Sequence, residues 1–222
     1  MVSFFKFLIF VIKYTSRKYS FLRILQILEA SKTELSGTIL DLGGNDFSHN
    51  ICNYFSGNYL IQFADKFPKD EKTIKVNLEL DEDLSKKFDN VCLMNVLEHI
   101  KNYKNVINFS YKTLNVNGRI IGSVPFLFKI HYSPNDYFRF TEQLLYEEFR
   151  DSGFEQIEIK PLSKGIFSNF YSIIFDYTKK IPLLNTLLIT ICLILDKIFF
   201  FINKNYIKNY PLGYYFIAIK KN

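Results

Sequence analysis

Thr38-Ile39-Leu40-Asp41-Leu42-Gly43-Gly44 is an apolar, partly β-branched run carried straight into two glycines. Such a run reads as a buried strand entering a tight turn. Glycine lets the backbone come close to a ligand, and a helix N-terminus after the turn would offer free N–H groups. The spacing predicts that helix from about Ser48 to Tyr54.

The same alternation continues outward. Gly57 and Asn58 punctuate before a second strand, Tyr59 to Phe63, which ends at Asp65. Lys72 to Val76 is a third strand and Asn90 to Asn95 a buried fourth. A helix follows from about Lys101 to Leu114, then a turn at Asn117-Gly118 and a fifth strand, Arg119 to Val124, closed by Pro125. Thr141 is suited to cap a helix that carries Glu142 in its first turn and stops at Ser152-Gly153. Phe154 to Ile159 and Tyr214 to Ile219 complete the strands. Alternating strands and helices imply an α/β fold with an open, mostly parallel sheet.

Composition agrees with one large folded domain, or one domain with appendages. The 222 residues are 48% hydrophobic, with 24 Phe, 15 Tyr and no Trp, which excludes a disordered or low-complexity chain. Cys52, Cys92 and Cys192 form no close pair in sequence, so a disulfide scaffold and a zinc ribbon are excluded, reduced thiols are expected, and no metal is expected. The net charge of +6 is unevenly placed: residues 1–35 carry +4, residues 160–222 carry +7, and residues 36–159 carry −5. An acidic centre argues against a nucleic-acid-binding face there.

Within the centre, the order of polar residues points to a nucleoside. Asp65 lies about 20 residues after the glycine turn, where α/β folds hold a ribose diol. Asn77 follows the third strand, and its amide can read an adenine edge. A solvated loop aspartate and a strand-ending asparagine are the alternative readings.

Three segments together resemble a known family: Thr38 to Gly44, the run Phe88-Asp-Asn-Val-Cys-Leu-Met-Asn-Val-Leu-Glu-His-Ile100, and Leu114 to Pro125. They are similar to the class I S-adenosylmethionine-dependent methyltransferases, of the type 11-like kind, over roughly residues 36–160. The resemblance implies a Rossmann-like seven-stranded sheet, mostly parallel with an antiparallel last strand at Tyr214–Ile219, and S-adenosylmethionine as cofactor. It implies further that Asp41, Gly43 and Gly44 meet the methionine part of the cofactor, Asp65 its ribose, and Asn77 with Leu78 its adenine. Asn95 and Val96 would face the methyl group, and Glu98-His99 match the family's Glu-His pair. The family's turn is Gly-x-Gly-x-Gly, whereas Asn45 and Phe47 stand here, the second a bulky departure that puts cofactor binding in question. The segment from His131 to Thr141 resembles a bacterial subgroup associated with cell-surface glycan genes.

Methyl transfer to a hydroxyl needs a base, and His131 is the candidate, in the loop after the fifth strand where open α/β sheets gather ligands. Asp136 would orient it, and Arg139 would hold an anionic acceptor in a bidentate contact. A loop histidine beside a structural Asp136–Arg139 ion pair is the competing reading, and His99 reads as a helix-start residue.

The basic flanks are apolar. On a helical wheel Lys6, Lys13 and Arg17 fall within about 40° of one another. Between residues 183 and 202, Asn185, Thr186, Thr190, Asp196 and Lys197 collect within about 140° and leave a wide apolar face. Interfacial helices with lysines at anionic head groups fit both segments, and packing against protein is the alternative. The expected organisation is therefore a helical extension (1–35) and a methyltransferase domain (36–222) holding a hydrophobic helical insertion (163–210). The expected function is methyl transfer to a small-molecule, glycan or lipid-linked acceptor, in the cytoplasm and peripheral at the inner face of the plasma membrane, with no nucleic-acid partner. An isoprenoid-quinone head group as acceptor, and a catalytically degenerate binding or scaffold subunit, are the alternatives.

Overall fold

A computed structural model of the chain describes residues 3–44, 50–80 and 83–221. The opening run forms the end of β1 (Glu34–Leu42), where Ile39 to Leu42 are all buried, as expected of a strand covered on both faces. The remaining strands are β2 (Ser56–Asp65), β3 (Ile74–Lys75), β4 (Phe88–Met94), β5 (Leu114–Pro125), β6 (Glu155–Leu162) and β7 (Gly213–Ile219). They make one seven-stranded sheet in the order β3-β2-β1-β4-β5-β7-β6, mostly parallel with the last strand antiparallel. β1 lies between β2 and β4, parallel to both. The strand order reverses at that point.

Two departures from the expected boundaries have local causes. β3 is only two residues long because Asp70 captures the backbone ahead of it: the N–H groups of Lys72 and Thr73 donate to its Oδ1 at 3.0 and 2.9 Å, and so does the Thr73 hydroxyl at 2.9 Å. Those donors are lost to a ladder. The expected turn at Asn117-Gly118 is an irregularity inside β5, where pairing with β4 jumps from Phe88↔Leu114 to Asn90↔Arg119. Asn117 has φ +63° there and donates its N–H to the carbonyl of Lys220, the residue after β7, at 2.7 Å, which anchors the bulge.

The described residues divide into two compact units. One comprises Glu29–Phe126, Ile130–Lys160 and Tyr214–Asn222, and contains most of the sheet. Its core joins Leu40, Leu42, Val91, Leu93 and Ile120 of the strands to Val106 and Phe109 of α3 (Tyr103–Thr113) and to Leu145 and Phe149 of α4 (Glu142–Asp151). Thr141 caps α4 as expected, accepting from the Leu144 N–H at 3.2 Å, and the chain leaves α4 through Gly153 at φ +92°.

The other unit comprises Met1–Leu28, Leu127–Lys129 and Pro161–Gly213. Its helices are α1 (Phe4–Ser16), α2 (Phe21–Ala30, through Leu28), α5 (Ile166–Thr178) and α6 (Pro182–Ile202). α1 buries Phe7, Val11, Tyr14 and Thr15, the i, i+4, i+7 and i+8 positions of one helical face. In α6 the polar stripe is the packed side. Asn185 accepts from the Tyr171 and Thr178 hydroxyls, both at 2.9 Å. Asp196 accepts from the N–H groups of Phe167 and Ser168 at the start of α5, at 2.9 and 2.8 Å, and from the Tyr206 hydroxyl at 2.7 Å. Leu183 is 83% exposed, and Leu187, Ile191, Ile194, Ile198, Phe201 and Ile202 are exposed with it.

Candidate functional site

Because β1, β2, β3 and β4 are adjacent and parallel, their C-terminal ends share one edge of the sheet. Asp41 and Asp65 lie at the ends of β1 and β2, Asn77 two residues beyond β3, and Asn95 directly after β4. Open α/β sheets bind ligands at this edge, at the point where strand order reverses.

The glycine turn is shaped around Asp41, which is buried and accepts from Asn50 Nδ2 at 2.6 Å. Gly43 has φ +82° and donates its N–H to the Ala64 carbonyl at 2.8 Å. A Cβ on Gly44 would stand 2.1 Å from Asp41 Oδ2 and 2.9 Å from the Phe63 ring, so no side chain fits there. Asn45 and Phe47 lie outside the described residues, as does the start of the helix expected from Ser48. Beyond them the chain makes a 3-10 turn, Ile51–Tyr54, capped by Asn50 through the Cys52 N–H at 2.7 Å.

The other positions along this edge are local turns. Asp65 Oδ1 accepts from the Phe67 N–H at 2.7 Å, and the Asn77 side-chain oxygen accepts from the Glu79 N–H at 3.3 Å. Leu78 is buried, and its carbonyl accepts from Asn105 Nδ2 at 3.1 Å. Asn95 is left-handed at φ +58°, donates its N–H to the Ser123 carbonyl at 2.9 Å, and accepts from the Ser123 hydroxyl at 3.4 Å. A non-glycine residue in this region at a strand end is held by its surroundings, as at ligand sites.

The cysteines are reduced, and two of them meet in space. Cys52 and Cys92, far apart in sequence, bring their sulfurs to 3.0 Å beside Asp41. Both are free thiols, and hydrogen bonding to Cys92 with burial pushes the Cys52 thiol well up. The segment after β1 is packed against β4, a proximity that no spacing in the sequence records.

The second cluster lies in the loop after β5. Asp136 forms a fork with Arg139, Oδ1 to Nη1 at 2.5 Å and Oδ2 to Nη2 at 2.7 Å, and accepts from the His131 N–H at 2.9 Å. The guanidinium holds the Asp136 carboxyl at about 2. Both arms of Arg139 are therefore turned to Asp136, and Arg139 Nη1 also donates to the Phe138 carbonyl at 2.8 Å. Asp136 does approach the His131 ring, with Nδ1 at 3.6 Å.

Glu98 stands out in the structure far more than its place in a Glu-His pair suggests. It is 0% exposed, neither of its oxygens has a hydrogen-bond partner among the described residues, and burial pushes its carboxyl up to about 8. His99 does not begin a helix; it ends a 3-10 turn, Leu97–His99, and α3 starts at Tyr103. Its Nδ1 lies 2.5 Å from the Asn135 carbonyl, its Nε2 lies 3.7 Å from Glu98 Oε1, and its ring meets His131 edge-on at 4.8 Å between centroids.

No family model and no curated protein matches the sequence. Solved structures do match. Phosphoethanolamine N-methyltransferase 2 of Haemonchus contortus, in complex with S-adenosyl-L-methionine, has a TM-score of 0.56 at 15% identity over 89% of this chain and 52% of that one. An S-adenosylmethionine-dependent methyltransferase of Thermotoga maritima has a TM-score of 0.56 at 13% identity, over 97% of this chain and 98% of that one. The fold is that of the class I S-adenosylmethionine-dependent methyltransferases. A third such methyltransferase, of Mesorhizobium loti, has a TM-score of 0.52 at 13% identity, over 87% and 95% of the two chains. The chain spans about half the length of the Haemonchus enzyme. On this methyltransferase fold, the sheet edge carrying Asp41, Asp65, Asn77 and Asn95 is the carboxyl edge at the strand-order reversal.

Proposed function

We propose that the chain binds S-adenosylmethionine at the carboxyl edge of β1 to β4 and transfers its methyl group to a small or lipid-linked acceptor. The observation that carries this reading is the placement of Asp41, Asp65, Asn77 and Asn95 at the ends of four adjacent parallel strands of a methyltransferase fold. The residues fit the cofactor. Glycine suits both positions of the turn, Gly43 by its φ of +82° and Gly44 because a Cβ would collide with Asp41 and Phe63. Asp65 accepts the Phe67 N–H through Oδ1, and its carboxylate is the group that would hold a ribose hydroxyl.

When bound, S-adenosylmethionine supplies a methyl group on a sulfonium, open to in-line attack. The protein's part is placement, which supplies roughly 7–11 kcal/mol at best. Asp41 and the glycine turn position the amino-acid end, Asp65 the ribose, and Asn77 with Leu78 the adenine. Asn95 stands where the methyl group would be presented. His131, held by Asp136, takes the acceptor's proton, while Arg139 maintains Asp136 rather than the acceptor.

The exposed apolar surface of the helical unit favours an acceptor carried by lipid, such as a glycan intermediate at the inner face of the plasma membrane. α6 is long and apolar enough to cross a membrane, but Asn185 and Asp196 bind it along one side to other parts of that unit. Its opposite side is free for acyl chains, while Lys180, Lys197 and Lys208 are exposed nearby in sequence. On α1, exposed Phe5 and Ile9 share a side with exposed Lys6 and Lys13. This is the pattern of a helix lying in the interface.

Calorimetry with S-adenosylmethionine tests the cofactor claim. Wild type should bind, and Asp65→Ala should bind much more weakly; a wild type that takes up none overturns the reading. Flotation with anionic liposomes tests the membrane claim, which fails if uptake ignores salt and lipid charge.

A further inference from the structure

We propose that Glu98, His99 and His131 form a binding site for a first-row divalent transition-metal ion of the zinc or manganese kind. One ligand atom from each of the three comes within 4.8 Å of the others. Two imidazoles and one carboxylate make a mixed nitrogen and oxygen donor set, which suits zinc, manganese or iron(II) rather than magnesium or calcium.

Proton positions make the case specific. A carbonyl oxygen cannot donate, so at 2.5 Å from the Asn135 carbonyl the His99 Nδ1 must carry the hydrogen. In the neutral ring that leaves the lone pair on Nε2, which lies 3.7 Å from Glu98 Oε1. Two lone-pair-bearing atoms therefore lie close together, and Glu98 is fully buried with no hydrogen bond to either oxygen among the described residues. A buried acceptor left unsatisfied costs about 1–3 kcal/mol, more if charged. A cation between them removes that cost. Metal-bound histidines characteristically donate their second nitrogen to a carbonyl or carboxylate, as His99 does to Asn135.

The 3.7 Å separation already suits two ligands each about 2.0–2.2 Å from one ion. Asp136, clamped by Arg139, holds the backbone of His131 and approaches its ring, fixing the third ligand from behind. Only Glu98 and His99 are neighbours in sequence; His131 reaches them because the Tyr137 N–H donates to the Glu98 carbonyl at 2.8 Å and folds the loop back.

The role of the ion rests on the proposed methyltransferase activity. With the ion bound, His131 would serve as a ligand in place of the base, and an acceptor hydroxyl coordinated here would have a lowered pKa and give its proton to water. Its oxygen then forms a bond to the methyl carbon as the carbon–sulfur bond breaks, and that electron pair returns to sulfur. Metal binding itself is measured without S-adenosylmethionine, so failure of either claim is seen separately.

The test is titration of the metal-stripped full chain with Co²⁺, followed by absorption, and displacement by Zn²⁺. Wild type should take up one equivalent with the visible bands of a nitrogen and oxygen site and no sulfur charge-transfer band. Glu98→Gln and His131→Ala should each weaken uptake by about 100-fold or more while circular dichroism stays native. Cys52→Ser/Cys92→Ser should bind as wild type, which separates this site from the buried Asp41, Cys52 and Cys92 group. Glu98→Gln gives a second readout: it should raise the melting temperature of the metal-free protein and abolish the rise that Zn²⁺ produces. No uptake by wild type, uptake that survives Glu98→Gln, or uptake lost with the cysteines overturns the proposal. In the first of these, a protonated Glu98 donating to His99 would account for the pair.

Discussion

The strands of the sheet unit and helix α6 of the helical unit differ in what they bury. In the sheet unit, Leu40, Val91, Leu93 and Ile120 are fully buried, and the polar groups gather at strand ends. In the helical unit, α6 buries Asn185 and Asp196 and exposes Leu183, Leu187 and Phe201. The first is a core closed against water. Along α6, Asn185 and Asp196 lie inside with Ile189 and Leu193, while an apolar face stays outside. The helical unit still keeps an apolar core, with Val11, Phe21, Ile24 and Ile189 fully buried, so the contrast is between the strands and the outer face of α6.

The contrast is broken most severely by truncation in the sheet. Leu40→Ala should cost about 2–5 kcal/mol, whereas Leu183→Ala, equally apolar, should stay within about 0.5 kcal/mol and weaken liposome uptake instead. Urea denaturation and flotation measure the two, and a large stability loss from Leu183→Ala would refute the contrast. Next comes Asp196→Ala, which strands the N–H groups of Phe167 and Ser168 and the Tyr206 hydroxyl. It should cost about 2–3 kcal/mol even though it makes α6 more apolar, because charge-assisted hydrogen bonds are lost.

Gly44→Ala sharpens the cleft end of the comparison. Its Cβ would collide with Asp41 and Phe63, so a loss of about 1–3 kcal/mol is expected together with weakened S-adenosylmethionine binding by calorimetry. The smallest effect concerns Asp89, whose carboxyl is held below its usual 3.8 by the Thr38 N–H first and the Asn115 amide next. A depressed folded pKa contributes stability above the unfolded value and loses it as pH falls through the folded one. Between neutral pH and about pH 3, wild type should therefore lose slightly more stability than Asp89→Asn, read from urea midpoints.

Much of the sheet is legible in the sequence because a buried strand needs little beyond an unbroken apolar run, as at Ile39–Leu42 and Val91–Leu93. The Thr141 cap and the Gly153 stop are local, decided within four residues, and both form as expected. β3 is shorter than its apolar pattern implies because Asp70 draws off the backbone donors, an effect of one side chain that periodicity does not register. In the site, the four strand-end residues can be placed from order alone. Arg139's pairing and the isolation of Glu98 cannot, since both depend on how the loop after β5 folds back to the end of β4.

The sequence by itself determined the α/β class, the succession of strands along the chain, the glycine turn and the uneven charge. Each is carried by local pattern: apolar period, turn chemistry and composition. Only the tertiary structure decided that Cys52 meets Cys92, that α6 packs by its polar stripe, and that Glu98, His99 and His131 share one place. These are contacts between residues distant in the chain, or choices of which helix face is covered. The physical reason is the same throughout: a side chain's partner is set by the geometry of neighbouring elements, and spacing along the chain fixes that geometry only within a single element.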